Sequence, residues 1–382
     1  MENKLNSKVV VYASDMTAFM NNKILDREFM ARYHHGEALT FMAESIQSAG
    51  FEFMTIDRYV QDCPEREAIL ISDMAAGNGI KNKYKNIKYA LCFSLESPII
   101  ASRYYHYLKK RTKSYAKVLD WVGAISRVDN PTRRFLPITH PNTIREVIGP
   151  TLTWNNKKFL VIINSNKRAF QWSWPVLGFR TLFLYPRALV SNVRTEWIRA
   201  VDPIMKNELY NERLCAIKYF SKYVDFDLYG YGWDNISNDS KHPIKDAVLK
   251  CYRGKIPGEN DNKDKLEFLK RYKFSIVFEN AIFPGYLTEK IFDCFFSGVI
   301  PVYLGDPNVS ERIPTNCFID ARNFKSYEAL AEYLQNMSEE VAQTYLDAAK
   351  VFIASNAFDS FTAIFFANTI VKCINEFQLE KG

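Results

Sequence analysis

No stretch of this sequence approaches the about 18 consecutive apolar residues that a membrane-spanning helix requires, and Met1 to Lys8 is polar rather than signal-like. Neither an anchor nor a signal peptide is therefore expected. Cysteine is scarce: Cys63, Cys92, Cys215, Cys251, Cys294, Cys317 and Cys373 are far apart, with no CxxC and no Cys/His ligand spacing. That excludes a disulfide scaffold and a zinc module, and it points to reduced thiols, hence a cytoplasmic location, extended at most to the inner membrane face. With 15 Gly and 15 Pro there is no fibrous, repetitive or low-complexity segment. Concentrated charge is also missing, because the net +7 is spread along the chain except for Lys81, Lys83, Lys85 and Lys88. A nucleic-acid track needs denser cations, so nucleic acid is not an expected partner.

What remains is an ordinary folded composition, 47% hydrophobic and 24% charged, over 382 residues. That length suits two domains of about 150 to 200 residues each. Val9 to Tyr12 reads as a buried strand, Leu39 to Ala49 as an amphipathic helix ended by Gly50, and Phe51 to Ile56, Ala68 to Ile71 and Tyr89 to Phe93 as further strands. Ser102 to Val118 reads as one aromatic, basic helix. Asn130 to Asn142, bearing prolines, interrupts the alternation, which restarts at Phe159 to Ile163. Leu209 to Tyr223 is helical; Phe226 to Tyr229, Phe274 to Phe278, Val299 to Leu304 and Cys317 to Ile319 are strand-like, with a helix over Thr288 to Ser297. Three helices then close the chain, over Ser326 to Gln335, Ser338 to Ile353 and Phe358 to Phe377. Strands alternating with helices predict an α/β protein of two Rossmann-like domains, over 1–150 and 151–355, with a C-terminal helix in 356–382.

The chemistry concentrates in Phe274-Ser-Ile-Val-Phe-Glu-Asn280, Pro284-Gly-Tyr-Leu-Thr-Glu-Lys-Ile291 and Gly298-Val-Ile-Pro-Val-Tyr-Leu-Gly305. A buried strand there delivers Asn280 to the carboxyl edge of a parallel sheet, where open α/β folds bind ligands. Thr288 can cap the following helix, whose free N–H groups suit a phosphate. Lys290 in the first turn opposes the helix dipole unless an anion lies beside it, a conflict that a diphosphate would remove. Glu289 has two oxygens for a ribose diol. Gly285 allows the backbone to come close to a ligand.

These segments resemble the C-terminal signature of glycosyltransferase family 10, the α-1,3/α-1,4-fucosyltransferases. The resemblance rests on Phe278-Glu279-Asn280, Gly285-Tyr286-Leu287-Thr288-Glu289-Lys290-Ile291, Gly298, Pro301-Val302-Tyr303, Gly305 and Pro307-Asn308, with Leu287 and Leu304 as departures. It implies a GT-B-like fold, two Rossmann-like domains facing a central cleft. It also implies an inverting glycosyltransferase moving L-fucose from GDP-β-L-fucose to a hydroxyl of a GlcNAc-containing oligosaccharide, in α-1,3 linkage. Another nucleotide sugar, or a silent glycan or sugar-nucleotide binder, is the alternative. By the same resemblance Lys290 meets the diphosphate, Glu289 the ribose, and Asn280 and Tyr286 the donor. Arg213, in Glu208-Leu-Tyr-Asn-Glu-Arg-Leu214, falls at the family's phosphate-binding arginine, and Ser165-Asn166 resembles its Ser-Asn after a strand. Arg213 and Lys290 together would neutralise the leaving group, so no cofactor is required and a divalent metal is at most stimulatory.

Direct displacement also needs a group that takes the acceptor proton. Glu96, in Leu95-Glu-Ser-Pro98 after a strand, stands where the family's proposed general base stands. Asp225-Phe-Asp227 fits the Asp-x-Asp pattern that holds a metal in other transferases, although here it starts a strand. His34-His35 reads as an exposed loop pair outside the site. Trp172 to Arg199 interleaves aromatic and arginine residues. It is an interfacial membrane segment, a wall of the acceptor site, a partner surface or an aromatic subdomain.

Overall fold

The computed structural model describes residues 8–33, 35–76, 79–80, 83–121, 134–149, 152–166, 197–199, 201–238, 243–256 and 262–379. Nearly all of 172–199 lies outside these residues; of it only Trp197 to Arg199 is described, as helix, with the Trp197 ring 6.1 Å from that of His106.

Among the described residues, eleven strands form two all-parallel sheets. The first contains β1 (Val9–Ala13), β2 (Glu52–Thr55), β3 (Ala68–Asp73), β4 (Ile87–Phe93), β5 (Lys117–Asp120) and β6 (Phe135–Pro137), in the order β2-β1-β3-β4-β5-β6. The second contains β7 (Lys158–Ile163), β8 (Phe226–Tyr229), β9 (Tyr272–Phe278), β10 (Ile300–Leu304) and β11 (Ile319–Asp320), in the order β11-β10-β9-β7-β8. Six helices frame the site and its supports: α1 (Gly36–Ser48), α2 (Tyr210–Phe220), α3 (Asn262–Leu269), α4 (Glu289–Phe296), α5 (Glu339–Ala354) and α6 (Ala363–Leu379). The strands are apolar along most of their length, as in VVVYA of β1 and IPVYL of β10, because parallel strands are covered on both faces.

The chain order reverses between β7 and β9, so their carboxyl ends diverge and open a crevice at Asn164-Ser165 and Glu279-Asn280. This switch point positions the site. Cores form on both faces of the second sheet, one around Phe292, Phe295, Phe352 and Phe358, the other around Phe220, Phe226, Phe274 and Val302.

Helix α6 returns to the first domain: Phe366, Ile370, Ile374 and Phe377 belong to the core of the first sheet, with the Phe93 and Phe366 rings 5.6 Å apart. The chain therefore crosses between domains twice, and the crossings are joined. Asn142 N–H and Nδ2–H both donate to Phe361 O at 2.8 Å, Ala363 N–H donates to Asn142 O at 2.8 Å, and Arg145 pairs with Asp359 at 2.6 Å.

The structure corrects several sequence expectations. Ser102 to Val118 is not one helix but two short turns, Ser102–His106 and Leu108–Arg111, followed by β5. Val118 and Leu119 are wholly buried strand residues, and so short an apolar run does not reveal its state by periodicity. The interruption at 130–142 contains β6. It is an edge strand, where Pro137 is tolerated because its missing N–H has no ladder to serve. Cys317 lies in a 3-10 turn and β11 starts at Ile319, while the last helix starts at Ala363 after a 3-10 turn over Asn356–Phe361.

Candidate functional site

Strand β9 is buried from Tyr272 to Phe278 apart from a half-buried Lys273, and it releases Glu279 and Asn280 at its carboxyl end. Glu279 has no solvent exposure. Its Oε1 accepts Thr288 N–H at 2.8 Å and both its oxygens lie within 2.9 Å of Thr288 Oγ1, while Oε2 takes Lys290 Nζ at 3.1 Å. Thr288 occupies the N-cap position of α4, yet its hydroxyl makes no cap bond and engages Glu279 and Lys290 instead. This corrects two sequence readings. Thr288 does not cap with its side chain, and the dipole conflict at Lys290 is settled within the protein by Glu279, before any diphosphate arrives. Burial pulls the Lys290 pKa down, but Glu279 and Glu289 more than offset it, so the ammonium titrates above an ordinary lysine. Gly305 makes room for this carboxylate, since a Cβ there would lie 2.5 Å from Glu279 Cγ.

Arg213 extends from α2 to the same strand end and is 4% exposed. Its Nε and Nη2 donate to Phe278 O at 3.1 and 2.6 Å, and Nη2 also to Asn280 Oδ1 at 3.0 Å. Burial lowers its pKa against the pull of Tyr210 and Glu279, although a guanidinium keeps its charge regardless. The neighbouring acids are employed elsewhere: Glu208 accepts Tyr210 N–H and Asn211 Nδ2, and Glu212 accepts the Tyr327 hydroxyl. Asn280 Nδ2 donates to the Tyr286 hydroxyl at 3.3 Å. Burial, then Glu279, Glu96 and Glu289, push the Tyr286 pKa well above the usual phenol, so this hydroxyl stays neutral.

The first domain faces these groups. Glu96 follows β4 half-buried, with its main-chain carbonyl accepting the Tyr105 hydroxyl and Trp121 Nε1–H, both at 3.0 Å. One cavity of about 430 Å³ is lined by Glu96, Arg32, Tyr33, His35 and His140 from the first domain and its linker, and by Asn164, Ser165, Arg213, Asn280, Tyr286, Thr288, Glu289 and Lys290 from the second. Glu289 sits between His140 Nε2 at 3.5 Å and Lys290 Nζ at 3.4 Å.

Of the residues anticipated from sequence, Glu96, Ser165, Arg213, Asn280, Tyr286, Thr288, Glu289 and Lys290 share that cavity. Asn166 does not line it; its Nδ2 donates to Gly232 O at 3.0 Å, and Asn164 stands at the cavity instead. Gly285 is not a lining residue either. Its φ of 78° is what requires glycine, and its carbonyl accepts Arg312 Nη1 at 3.0 Å. Glu279 was visible inside Phe-Glu-Asn, but its burial was not. His35, set aside as an exposed pair with His34, is half-buried in the cavity wall with its ring 4.5 Å from that of His140; His34 lies outside the described residues. Lys265 of α3 also reaches the cavity, paired with Asp293 at 2.6 Å, and nothing in its local sequence signals this.

The Asp-x-Asp pair does not form a metal site. Asp227 is 1% exposed on β8 and is held by Lys158 Nζ, Arg253 Nε and the Tyr272 hydroxyl, each at 2.8 Å. Asp225 contributes its carbonyl to the ladder with β7. No cluster of three or more His, Cys, Asp or Glu suited to a metal occurs among the described residues, and no helix there is long and apolar enough to cross a membrane.

Two parallel-sheet α/β domains facing each other across a cleft define the GT-B fold. Sucrose-phosphate synthase from Thermosynechococcus elongatus shares it, with a TM-score of 0.57 over 98% of this chain and 100% of that one at 7% identity. Residues 198–349 match the family model described as glycosyltransferase family 10 (fucosyltransferase) C-term. An α-(1,3)-fucosyltransferase FucT of Helicobacter pylori is 39% identical over 85 residues, 22% of this chain and 18% of that protein. An α-(1,3)-fucosyltransferase B of Drosophila melanogaster is 34% identical over 116 residues, 28% of this chain and 26% of that protein. The matched stretch thus spans about a fifth to a quarter of these curated relatives.

Proposed function

We propose that this chain is an inverting fucosyltransferase that moves L-fucose from GDP-β-L-fucose to a hydroxyl of a GlcNAc-containing glycan, in α-1,3 linkage. The observation that carries the reading is the shared cavity: Arg213 and Lys290 reach it from separate helices of the family 10 domain, and Glu96 reaches it from the opposite domain. In this reading the carboxylate of Glu96 takes the proton of the acceptor hydroxyl as its oxygen attacks the anomeric carbon. The bond from that carbon to the β-phosphate oxygen breaks on the opposite face, which inverts the anomeric configuration. The departing diphosphate gains charge beside the guanidinium and the ammonium, both already fixed by hydrogen bonds, so little reorganisation opposes the step. Glu289 receives the ribose hydroxyls, and Asn280 and Tyr286 bound the donor. The two fixed cations supply the neutralisation that a metal supplies elsewhere, so transfer proceeds without a required divalent ion.

Purified protein incubated with a panel of nucleotide sugars and with Galβ1-4GlcNAc or Galβ1-3GlcNAc glycans tests this by mass spectrometry. The expected product gains one deoxyhexose from GDP-fucose, with an α anomeric proton by NMR. A gained hexose would reassign the donor, and GDP binding without transfer or donor hydrolysis would identify a silent binder.

A further inference from the structure

The loop after β9 does not stay with its own sheet. Ala281, Phe283 and Tyr286 belong to the apolar core of the first domain. Tyr286 is therefore a joint between domains as well as a wall of the cavity. Its hydroxyl accepts Asn280 Nδ2 from the donor side at 3.3 Å. Its ring meets Trp121 edge-on, with centroids 5.0 Å apart and planes at 89°. Trp121 is wholly buried, its main-chain N–H is held by Asp120 Oδ1 at 2.7 Å, and its indole N–H donates to Glu96 O. The Tyr105 hydroxyl donates to the same carbonyl.

A carbonyl with two donors on it has a fixed direction, and a fixed peptide sets the Cα–Cβ vector of the side chain it carries. Trp121 and Tyr105 do not line the cavity. Resting on the function proposed above, we propose that they are positioning residues: they clamp the main chain of Glu96 and, through the Trp121–Tyr286 ring contact, align the base with the donor side of the domain joint. Packing alone would require the rings and not the two polar hydrogens.

Trp121→Phe keeps a ring against Tyr286 and removes the indole N–H, and Tyr105→Phe removes only a hydroxyl. Because small displacements of a reacting group are costly, each should lower kcat about tenfold and the double variant about a hundredfold. KM for GDP-fucose and the calorimetric Kd for GDP should stay within about twofold, since the donor contacts are intact. In the wild-type protein the Trp121 indole N–H resonance, assigned by its loss in Trp121→Phe, should shift when GDP is added. A folded double variant with wild-type kcat, a parallel loss of kcat and GDP affinity, or an indole resonance unmoved by saturating GDP would each overturn the proposal. A wild-type chain that neither binds GDP nor transfers fucose would remove the proposed function and this inference with it, whereas an active wild type matched by its variants removes this inference alone.

Discussion

Replacing Glu279 by glutamine leaves the shape of the site intact and deletes the fully buried counter-charge of Lys290. The ammonium then keeps Thr288 Oγ1 at 2.8 Å and Glu289 at 3.4 Å but loses its closest carboxylate, at 3.1 Å. Removing one member of a buried pair costs about 3–5 kcal/mol, because the survivor is left charged without its partner. Glu289 remains nearby, so the lower end, about 3 kcal/mol, is expected for Glu279→Gln. At about 2–4 °C per kcal/mol this lowers the melting temperature by about 6–12 °C. The double variant Glu279→Gln with Lys290→Met removes both charges and should return to within about 1 kcal/mol of wild type. The pH dependence follows from the raised pKa of Lys290. A group titrating higher when folded contributes stability that is complete below the unfolded value of about 10.4 and is lost as pH rises through the folded value. The gap between wild type and Glu279→Gln should thus be constant from neutral pH to about pH 9 and close only above about pH 10. Thermal melts of wild type, Glu279→Gln, Lys290→Met and the double variant across this range are the assay. Equal melting temperatures for wild type and Glu279→Gln, or additive losses in the double variant, would refute the reasoning.

Glu96→Gln should keep its affinity for GDP by calorimetry and lose transfer by roughly 10²–10⁴-fold, the usual contribution of a general base, and near-normal turnover would remove the assignment. Arg213→Lys should weaken GDP binding at least about tenfold, because a lysine has no planar fork to hold Phe278 O and Asn280 Oδ1 while facing a phosphate. Exhaustive EDTA should leave transfer unchanged in a radiolabel or mass assay, and loss restored by Mn²⁺ would contradict the reading of Asp225 and Asp227. Despite its burial, Asp227 titrates below an ordinary aspartate because Lys158, Tyr272 and Arg253 hold it ionised. Its stabilisation is present above the unfolded value of about 3.9 and lost as pH falls through the lower folded value. Asp227→Asn should therefore melt earlier at neutral pH, with the difference beginning to shrink only below about pH 3.9 and closing as pH falls through the lower folded value.

The second-domain wall of the cavity was legible because strand, loop and helix from Phe274 to Phe296 are consecutive, so residues that share that wall also lie together in the chain. Glu279 shows the limit of that reading. It stood inside the recognised motif, but its role follows from complete burial against Thr288, Lys290 and Gly305, and burial is a property of the packed fold. Asn166 shows a second limit: the Ser-Asn pair was visible, whereas which amide turns inward depends on the loop at Tyr231 and Gly232.

Local pattern determined the alternation of buried strands with amphipathic helices, the two α/β units and the segment that matches the family 10 model, since periodicity, capping and motif spacing are carried by neighbours in the chain. Only the tertiary structure decided that α6 belongs to the first domain, that Tyr286 enters the core of the first sheet, and that His140 and Lys265 share a cavity with Glu289. Those outcomes depend on which apolar faces find each other across long separations, and no local window of sequence contains both partners.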